Sequence, residues 1–433
     1  MKPANSVSPV VTTDLARAAW ARTVRRYAAA AGVLASAVVP LAASAQTPLV
    51  GYRTGSIGVT YEHWSFGDGG FLQPTVDGSG MVHITGSSQL SIPISATVPV
   101  SDKWTLDLSG AYASGTVSLS GRDSVLDTDH YSLNGVTDVR VRATGHLVGD
   151  NVLVTLGLNL PTGKTSLNAN EFSALRIIGA PALTFQTPVL GIGTGATAGV
   201  VLARQIDNWA WALGTSFELR RTYAPVTLAA GIPAPDFSPG NAVHLSLGTD
   251  GFIGQNGMTV SLSADFYGKS KLAAFAEATA PGESLSPAGA TTTQLGPIFT
   301  ANWQLRVAAR GFREFTLYAV DHYRRPYKRS GVTTSGSSGN YLDAGVESIY
   351  AATPSTGVLV GLDLHHQTGL SVDNTMATSA VRSGALTLGL VHDLPGGYTI
   401  RPFVRGQLGK LVSGSTSTNA TGFAGGVTLG ARF

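Results

Sequence analysis

The sequence predicts an all-β protein, a closed antiparallel transmembrane β-barrel of about sixteen strands (range twelve to eighteen), preceded by a signal peptide. Three observations predict the barrel. Apolar and polar residues alternate in segment after segment, the period-2 pattern of strands wetted on one side only. The connections between those segments sort into a short set and a long set. The chain also closes on G-F-A-G-G-V-T-L-G-A-R-F, Gly422 to Phe433. There Phe423, Val427, Leu429 and Phe433 share one register, and Thr428 and Arg432 share the other.

The amino-terminal stretch is read first. Lys2, Arg17, Arg22, Arg25 and Arg26 precede an apolar run from Ala28 to Leu41, which ends in Ala43-Ser44-Ala45 before Gln46. A basic flank, a short apolar core and a small-residue cleavage site are the features of a secretory leader. The run is too short to span a bilayer as a helix of about 20 residues. Residues 1–45 are therefore expected to be a signal peptide and residues 46–433 one barrel domain. The chain has no cysteine, which excludes a disulfide scaffold, a thiolate metal site and a cysteine nucleophile. Charged residues make up 13% of it and glycines number 53, so it is not a disordered charged chain. The net charge of +3 includes the basic leader, and no later stretch forms a long basic helix that would call for a nucleic-acid partner.

The strands follow in order. Ile57, Val59 and Tyr61 alternate with small or polar residues, as do Leu90, Ile92, Ile94, Ala96 and Val98. Pro93 inside that second strand would delete a ladder hydrogen bond. Trp104, Leu106, Leu108 and Tyr112 come next, then Val139 to Leu147 paired through a tight turn with Val152 to Leu160. Ala198 to Ile206 turns at Asp207-Asn208 into Trp209 to Leu219. Further pairs are expected at 243–253 with 258–267, 295–303 with 312–322, 342–350 with 358–366, and 386–393 with 398–408. Short connections such as Asp207-Asn208 and Pro395–Gly397 alternate with long ones, among them 67–80, 121–134, 161–190, 224–240 and 268–294. Short turns at one end and long loops at the other are what an outer-membrane barrel shows. Sixteen units allow roughly 24 residues each, of which a spanning strand takes about 9–11.

Charge placement assigns the faces. An arginine facing lipid at mid-bilayer costs roughly 2–4 kcal/mol, so the charged register of each strand belongs to the lumen. That logic puts Arg140, Arg142, Glu218, Arg220, Asp265, Asp343, Glu347, Asp363, His365, Arg401 and Arg405 inside, with Phe403 an exception on the arginine side. A lumen lined with both signs is wet, a channel or a vestibule blocked by loops.

Several motifs are weighed and set aside. Gly157 to Thr165, G-L-N-L-P-T-G-K-T, approaches a phosphate-binding loop, but five residues separate Gly157 from Gly163-Lys164 where that motif has four. Gly191, Gly193, Gly195 and Gly199 lack the strand-to-helix setting and acidic residue of a dinucleotide site. Asp363 and His365 fall on one face and His366 on the other, so the three cannot act together as a catalytic group. Nor do two same-face ligands make a metal site. Arg306 to Arg329 reads as a strand crossing an aromatic girdle into a basic loop.

Two resemblances follow from these residues. The terminal strand ending in Phe433 resembles the closing strand of bacterial outer-membrane barrels. Gly135-Val136-Thr137-Asp138-Val139, followed by a hairpin into Leu158-Asn159-Leu160-Pro161-Thr162-Gly163, resembles the outer-membrane barrels of the MetA-pathway-of-phenol-degradation family, over about residues 135–267. That resemblance implies passage of small, often hydrophobic or aromatic, compounds, and supplies no catalytic residues. The expectation is a porin-like channel in the outer membrane of a Gram-negative bacterium, without cofactor or metal and not an enzyme. Its alternatives are a barrel enzyme acting on lipid or peptide and a structural or adhesive barrel. Expected partners are outer-membrane lipid, a small-molecule solute, and the barrel-assembly machinery, which would read Phe423 and Phe433. Arg432 is expected to face the lumen and Phe433 the lipid.

Overall fold

In a computed structural model of the chain, the described residues are 53–67, 70–74, 81–123, 126–147, 151–180, 183–187, 191–225, 236–272, 276–277, 286–287, 291–369, 380–413 and 416–432. The leader and Phe433 lie outside them. Sixteen staves close into one antiparallel barrel. They are β1 (Thr54–Phe66), β2 (Met81–Ser101), β3 (Trp104–Asp123), β4 (in two segments, Thr128–Val136 and Val139–Leu147), β5 (Val152–Leu160), β6 (Gly195–Ile206), β7 (Trp209–Arg220) and β8 (Ala242–Ile253). The circuit continues through β9 (Asn256–Tyr267), β10 (Ile298–Arg306), β11 (Phe312–Arg324), β12 (Gly339–Ala351), β13 (Thr356–Thr368), β14 (Ala380–Leu394), β15 (Tyr398–Ser413) and β16 (Thr416–Arg432). Each stave pairs with its sequence neighbours, and β1 pairs with both β2 and β16, which closes the wall. No edge is left to face lipid within that circuit, the condition a membrane-spanning sheet must meet.

The alternation sorts the wall into two faces. Val404, Leu408, Leu213 and Leu362 stand about half or more exposed although each lies within a regular strand. Rows of such residues form an apolar outer band, as lipid requires. Tight turns at Asp102-Lys103, Asp207-Asn208 and Gly254-Gln255 join staves at one end. Asp207 and Gly254 take positive φ there, 52° and 63°, as two-residue hairpins demand. The long connections lie at the other end.

Several expected boundaries change. The segments 67–80 and 121–134, expected as loops, are partly strand: Phe71–Pro74 pairs with the start of β2, and β3 and β4 run on through Asp123 and from Thr128. Above the membrane band the pattern inverts. Val117, Leu119, Tyr131 and Leu133 are buried on the inner face while Ser118 and Ser120 face water. Residues 161–190, expected as one long loop, contain helix α1 (Ala169–Ile178). The stave expected from Leu295 begins at Ile298, and Leu295 is buried beside Tyr327 instead.

Helix α1 forms because its first turn is capped from both directions. The Asn168 side chain accepts from the Glu171 N–H at 3.0 Å, and the Glu171 carboxylate accepts from the Asn168 N–H at 3.1 Å, a reciprocal capping box. Its apolar residues Phe172, Leu175, Ile177 and Ile178 join Trp64, Ile84, Val117 and Tyr131 in the main core. Each such side chain contributes about 1.5–3 kcal/mol by leaving water. Gly115 on β3 lies directly under the tip of Ile178, and a Cβ there would occupy the same space.

Candidate functional site

The site is the lumen, and its principal feature is the connection between β5 and β6, whose described residues fold inward. Beyond α1, residues 183–187 run along β1 and β2. The Trp64 indole N–H donates to the Leu183 carbonyl at 2.9 Å. Gln89 grips Thr187 twice, through its amide N–H to the carbonyl (2.7 Å) and its amide oxygen to the N–H (3.0 Å). The Gln186 N–H donates to Glu62 at 2.9 Å, and the Ser91 hydroxyl donates to the Gln186 side chain at 3.1 Å. These contacts identify the inner face of the wall.

The base of the same connection is tied to Asp138. This carboxylate is buried and accepts from the Gly163 N–H (2.9 Å), the Ile192 N–H (2.7 Å) and the Asn159 amide (2.8 Å). The Thr162 hydroxyl accepts from the Val139 N–H at 2.8 Å. The G-x-x-D and L-P-T-G stretches, separate in sequence, thus form one joint. β4 breaks there. Thr137 bridges the break by donating its N–H to Ala111 at 2.7 Å and accepting from the Ala111 N–H through its hydroxyl at 2.8 Å. The edge of the upper β4 segment is capped by Asn170 of α1, which accepts from the Ser132 N–H (2.7 Å) and donates to the His130 carbonyl (3.2 Å). Lys164 pairs with Glu171 beside it. Tyr223, outside the spanning segments, packs against Gly193 at the second foot of the connection. Burial pushes its phenol well above the ordinary value, so it stays neutral.

The register carries the inner face around the wall, because cross-strand partners share a face. Glu62 pairs with Ala424, Ala424 with Arg405, Arg405 with Thr387, Thr387 with Gly361 and Gly361 with Glu347. Asp363 and His365 follow Gly361 on the same face, and Arg401 stands opposite Thr428. In the other direction Glu62 pairs with Gln89 and Gln89 with Gly115. Asp107 shares that register and pairs with Arg142; Arg142 pairs with Gly157, Gly157 with Thr197 and Thr197 with Glu218. Arg140 and Arg220 lie two residues from these. Phe403 turns inward as well, its ring lying over Gly426, where a Cβ would come within 2.9 Å of it.

Most of these charges are engaged in pairs. Arg220 donates to Glu218 at 2.7 Å and sits 5.7 Å from the centroid of Tyr267. His244 bridges Asp265 (2.6 Å) and Glu218 (3.4 Å). His365 meets Asp343 at 2.6 Å, and the Tyr341 ring lies between those of His365 and His322, tilted to both, with centroids 6.1 and 4.2 Å away. Arg405 lies 3.3 Å from Asp363, which also accepts from the Tyr318 hydroxyl. Arg142 donates to Asp107 at 3.2 Å. Arg140 and Arg401 are exposed and have no ion-pair partner among the described residues. His244, Tyr318, Tyr341 and Glu62 escaped the sequence reading, although their registers match those of Asp265, Asp343 and the small residues beside them. Polar atoms of Arg220, Arg405 and His365 that lack a protein partner require water. Asp363 and His365 thus each have a different partner, Arg405 with Tyr318 for the one and Asp343 for the other. Among the described residues no three His, Cys, Asp or Glu gather as a metal site.

No family model and no curated protein matches the sequence. Among solved structures the chain is similar to Pseudomonas putida OprB in its high-pH structure, at 12% identity over 88% of this chain and 94% of that one, with a TM-score of 0.46. A FadL homologue of Pseudomonas aeruginosa is similar at 11% identity over 88% and 90%, with a TM-score of 0.41. A deltaS2 mutant of the TodX monoaromatic hydrocarbon channel is similar at 8% identity over 88% and 90%, with a TM-score of 0.42.

Proposed function

We propose that the protein is a porin-like channel of a Gram-negative outer membrane, through which small molecules pass passively. One observation carries the reading: a closed sixteen-stave wall, apolar outside and lined inside by charge pairs, with residues 161–180 and 183–187 folded in against it. A dry core would have no use for so many ion pairs, since desolvating them costs more than their attraction returns. Arg140 and Arg401 supply the free charge that steers anions or the polar ends of solutes. Aromatic solutes are the finer proposal, supported by the inward rings of Tyr341, Tyr318 and Phe403. Membership in the MetA-pathway family is part of the same proposal, supported by the joint that Asp138 makes between its two motifs. Catalysis is not part of it. The expected partners are solute and outer-membrane lipid, with Phe423 and Phe433 serving the assembly machinery.

Planar-bilayer recording on the purified, heat-modifiable protein tests the reading. Discrete conductance, with uptake of small aromatic acids into proteoliposomes, is expected. A folded barrel that passes neither ions nor solutes would overturn it. So would a hydrolytic activity abolished by His365→Ala in a barrel that stays folded.

A further inference from the structure

The outer wall carries a feature that conduction does not use. On β14 and β15, Arg382 and Lys410 are direct cross-strand partners, and both are exposed. Their outward register is fixed by Leu386, Leu388, Val404 and Leu408 on the same strands. His366 of β13 pairs with Arg382 and Asn419 of β16 pairs with Lys410, so the row reads His366, Arg382, Lys410, Asn419 across four staves. Like charges placed opposite each other repel. The lumen arginines 142, 220 and 405 each have a carboxylate partner, yet Arg382 and Lys410 have none among the described residues. No carboxylate in the outward register of β13 to β16 or β1 compensates them, since Glu62, Asp363 and Asp393 all fall in the inward register.

Position along the strand gives the level in the membrane. Lys410, Arg382 and Asn419 each stand twelve residues from the short-turn end of their staves, counted from Tyr398, Leu394 and Ala431. Twelve residues at about 3.3 Å each, tilted by about 40°, rise about 30 Å. That is the thickness of the hydrocarbon, so the row lies at the outer headgroup level. Directly below it, Leu386 pairs with Gly406, Gly406 with Phe423, and Gly425 with both Val404 and Tyr61. The two glycines leave an outward groove of about 450 Å³ between Leu386, Leu388, Val404, Phe423 and Tyr61. Lys410 is four residues, roughly 13 Å, above the groove floor at Gly406.

We propose that this face binds a phosphorylated glycolipid of the outer leaflet: Arg382 and Lys410 hold a headgroup phosphate, and the groove at Gly406 and Gly425 receives an acyl chain. Arg and Lys flanking one anion relieve their mutual repulsion, and the guanidinium matches phosphate geometry. Asn419 and His366 offer hydrogen bonds to sugar hydroxyls at either side. The inference rests on the outer-membrane reading above, because only there does the long-loop end meet such a lipid.

Native mass spectrometry of the detergent-solubilised barrel tests it, with a diphosphorylated lipid A, the same lipid with its phosphates removed, and phosphatidylglycerol. The wild type is expected to retain the phosphorylated glycolipid at least tenfold more tightly than the other two. Arg382→Glu with Lys410→Glu should abolish that preference. Gly406→Phe, at a position where a Cβ meets nothing within 4 Å, should weaken binding severalfold with both charges kept. Arg325→Glu with Lys328→Glu, an equal change of charge in a loop, should leave it unchanged. Equal retention of all three lipids by the wild type, or wild-type binding by either groove or cation variant, overturns the proposal. Heat-shifted mobility and bilayer conductance, measured on the same preparations, report the barrel and channel readings separately.

Discussion

Asp138 is one of the side chains on which the lumen depends most. It satisfies two backbone N–H groups and one amide at the foot of the inserted connection. Removing the acceptor strands those donors, at about 1–3 kcal/mol for each that stays buried. Asp138→Ala is therefore expected to loosen residues 161–192 without opening the barrel. Faster limited proteolysis within that segment and noisier single-channel current would register it, and Asp138→Asn should fall between variant and wild type. The unpaired arginines make a second prediction. Arg140→Glu with Arg401→Glu reverses the free lumen charge, so the reversal potential in a salt gradient should move toward cation preference. Arg142→Ala removes a paired cation and should move selectivity less. An inward register for these residues was legible as an expectation, from alternation and from the cost of a charge in lipid. Their pairing was not, because partners such as Asp107 and Arg142 lie on different strands and meet only when the register is set.

At the scale of the element, the inserted connection divides what was readable from what was not. Its length was plain. Helix α1 was missed, although Asn168 followed by Glu171 spells a capping box, because a ten-residue helix is too short to stand on propensity alone. It is held by the tops of β1 to β4, whose inward residues are apolar there. The same packing explains why 121–134 was expected as a loop: above the membrane the apolar register moves from the outer face to the inner one, and the alternation loses its meaning as a membrane signal. Replacing residues 165–188 with a short Gly-Ser linker should leave a folded barrel whose unitary conductance is severalfold higher. Unchanged conductance would show that the connection does not narrow the path.

For the whole molecule, closure is the stabilising fact, and the two faces of the wall respond oppositely to charge. Leu262 is 52% exposed on the outer face, while Ser263 stands in the inward register between Ser246 and Thr300. Leu262→Arg should cost roughly 2–4 kcal/mol in lipid, with Ser263→Arg close to neutral. Urea titrations of the two variants in vesicles compare them directly, and equal costs would mean the faces are misassigned. Arg432 pairs with Thr54 in the inward register, and its N–H donates to Gly397, so the last described residue is bound into the rim.

The sequence by itself determined the class of fold, a wall of about sixteen staves and the end that bears the long loops. All three follow from rules that act along one strand or one connection at a time: the two-residue period, the length needed to cross hydrocarbon, and the sorting of short and long connections. Only the tertiary structure decided that residues 161–180 and 183–187 lie against the inner face of the wall, that Asp138 is the anchor of that connection, and that Arg382 and Lys410 stand side by side. Those are relations between strands distant in the chain, and one residue of register separates a partner from a stranger.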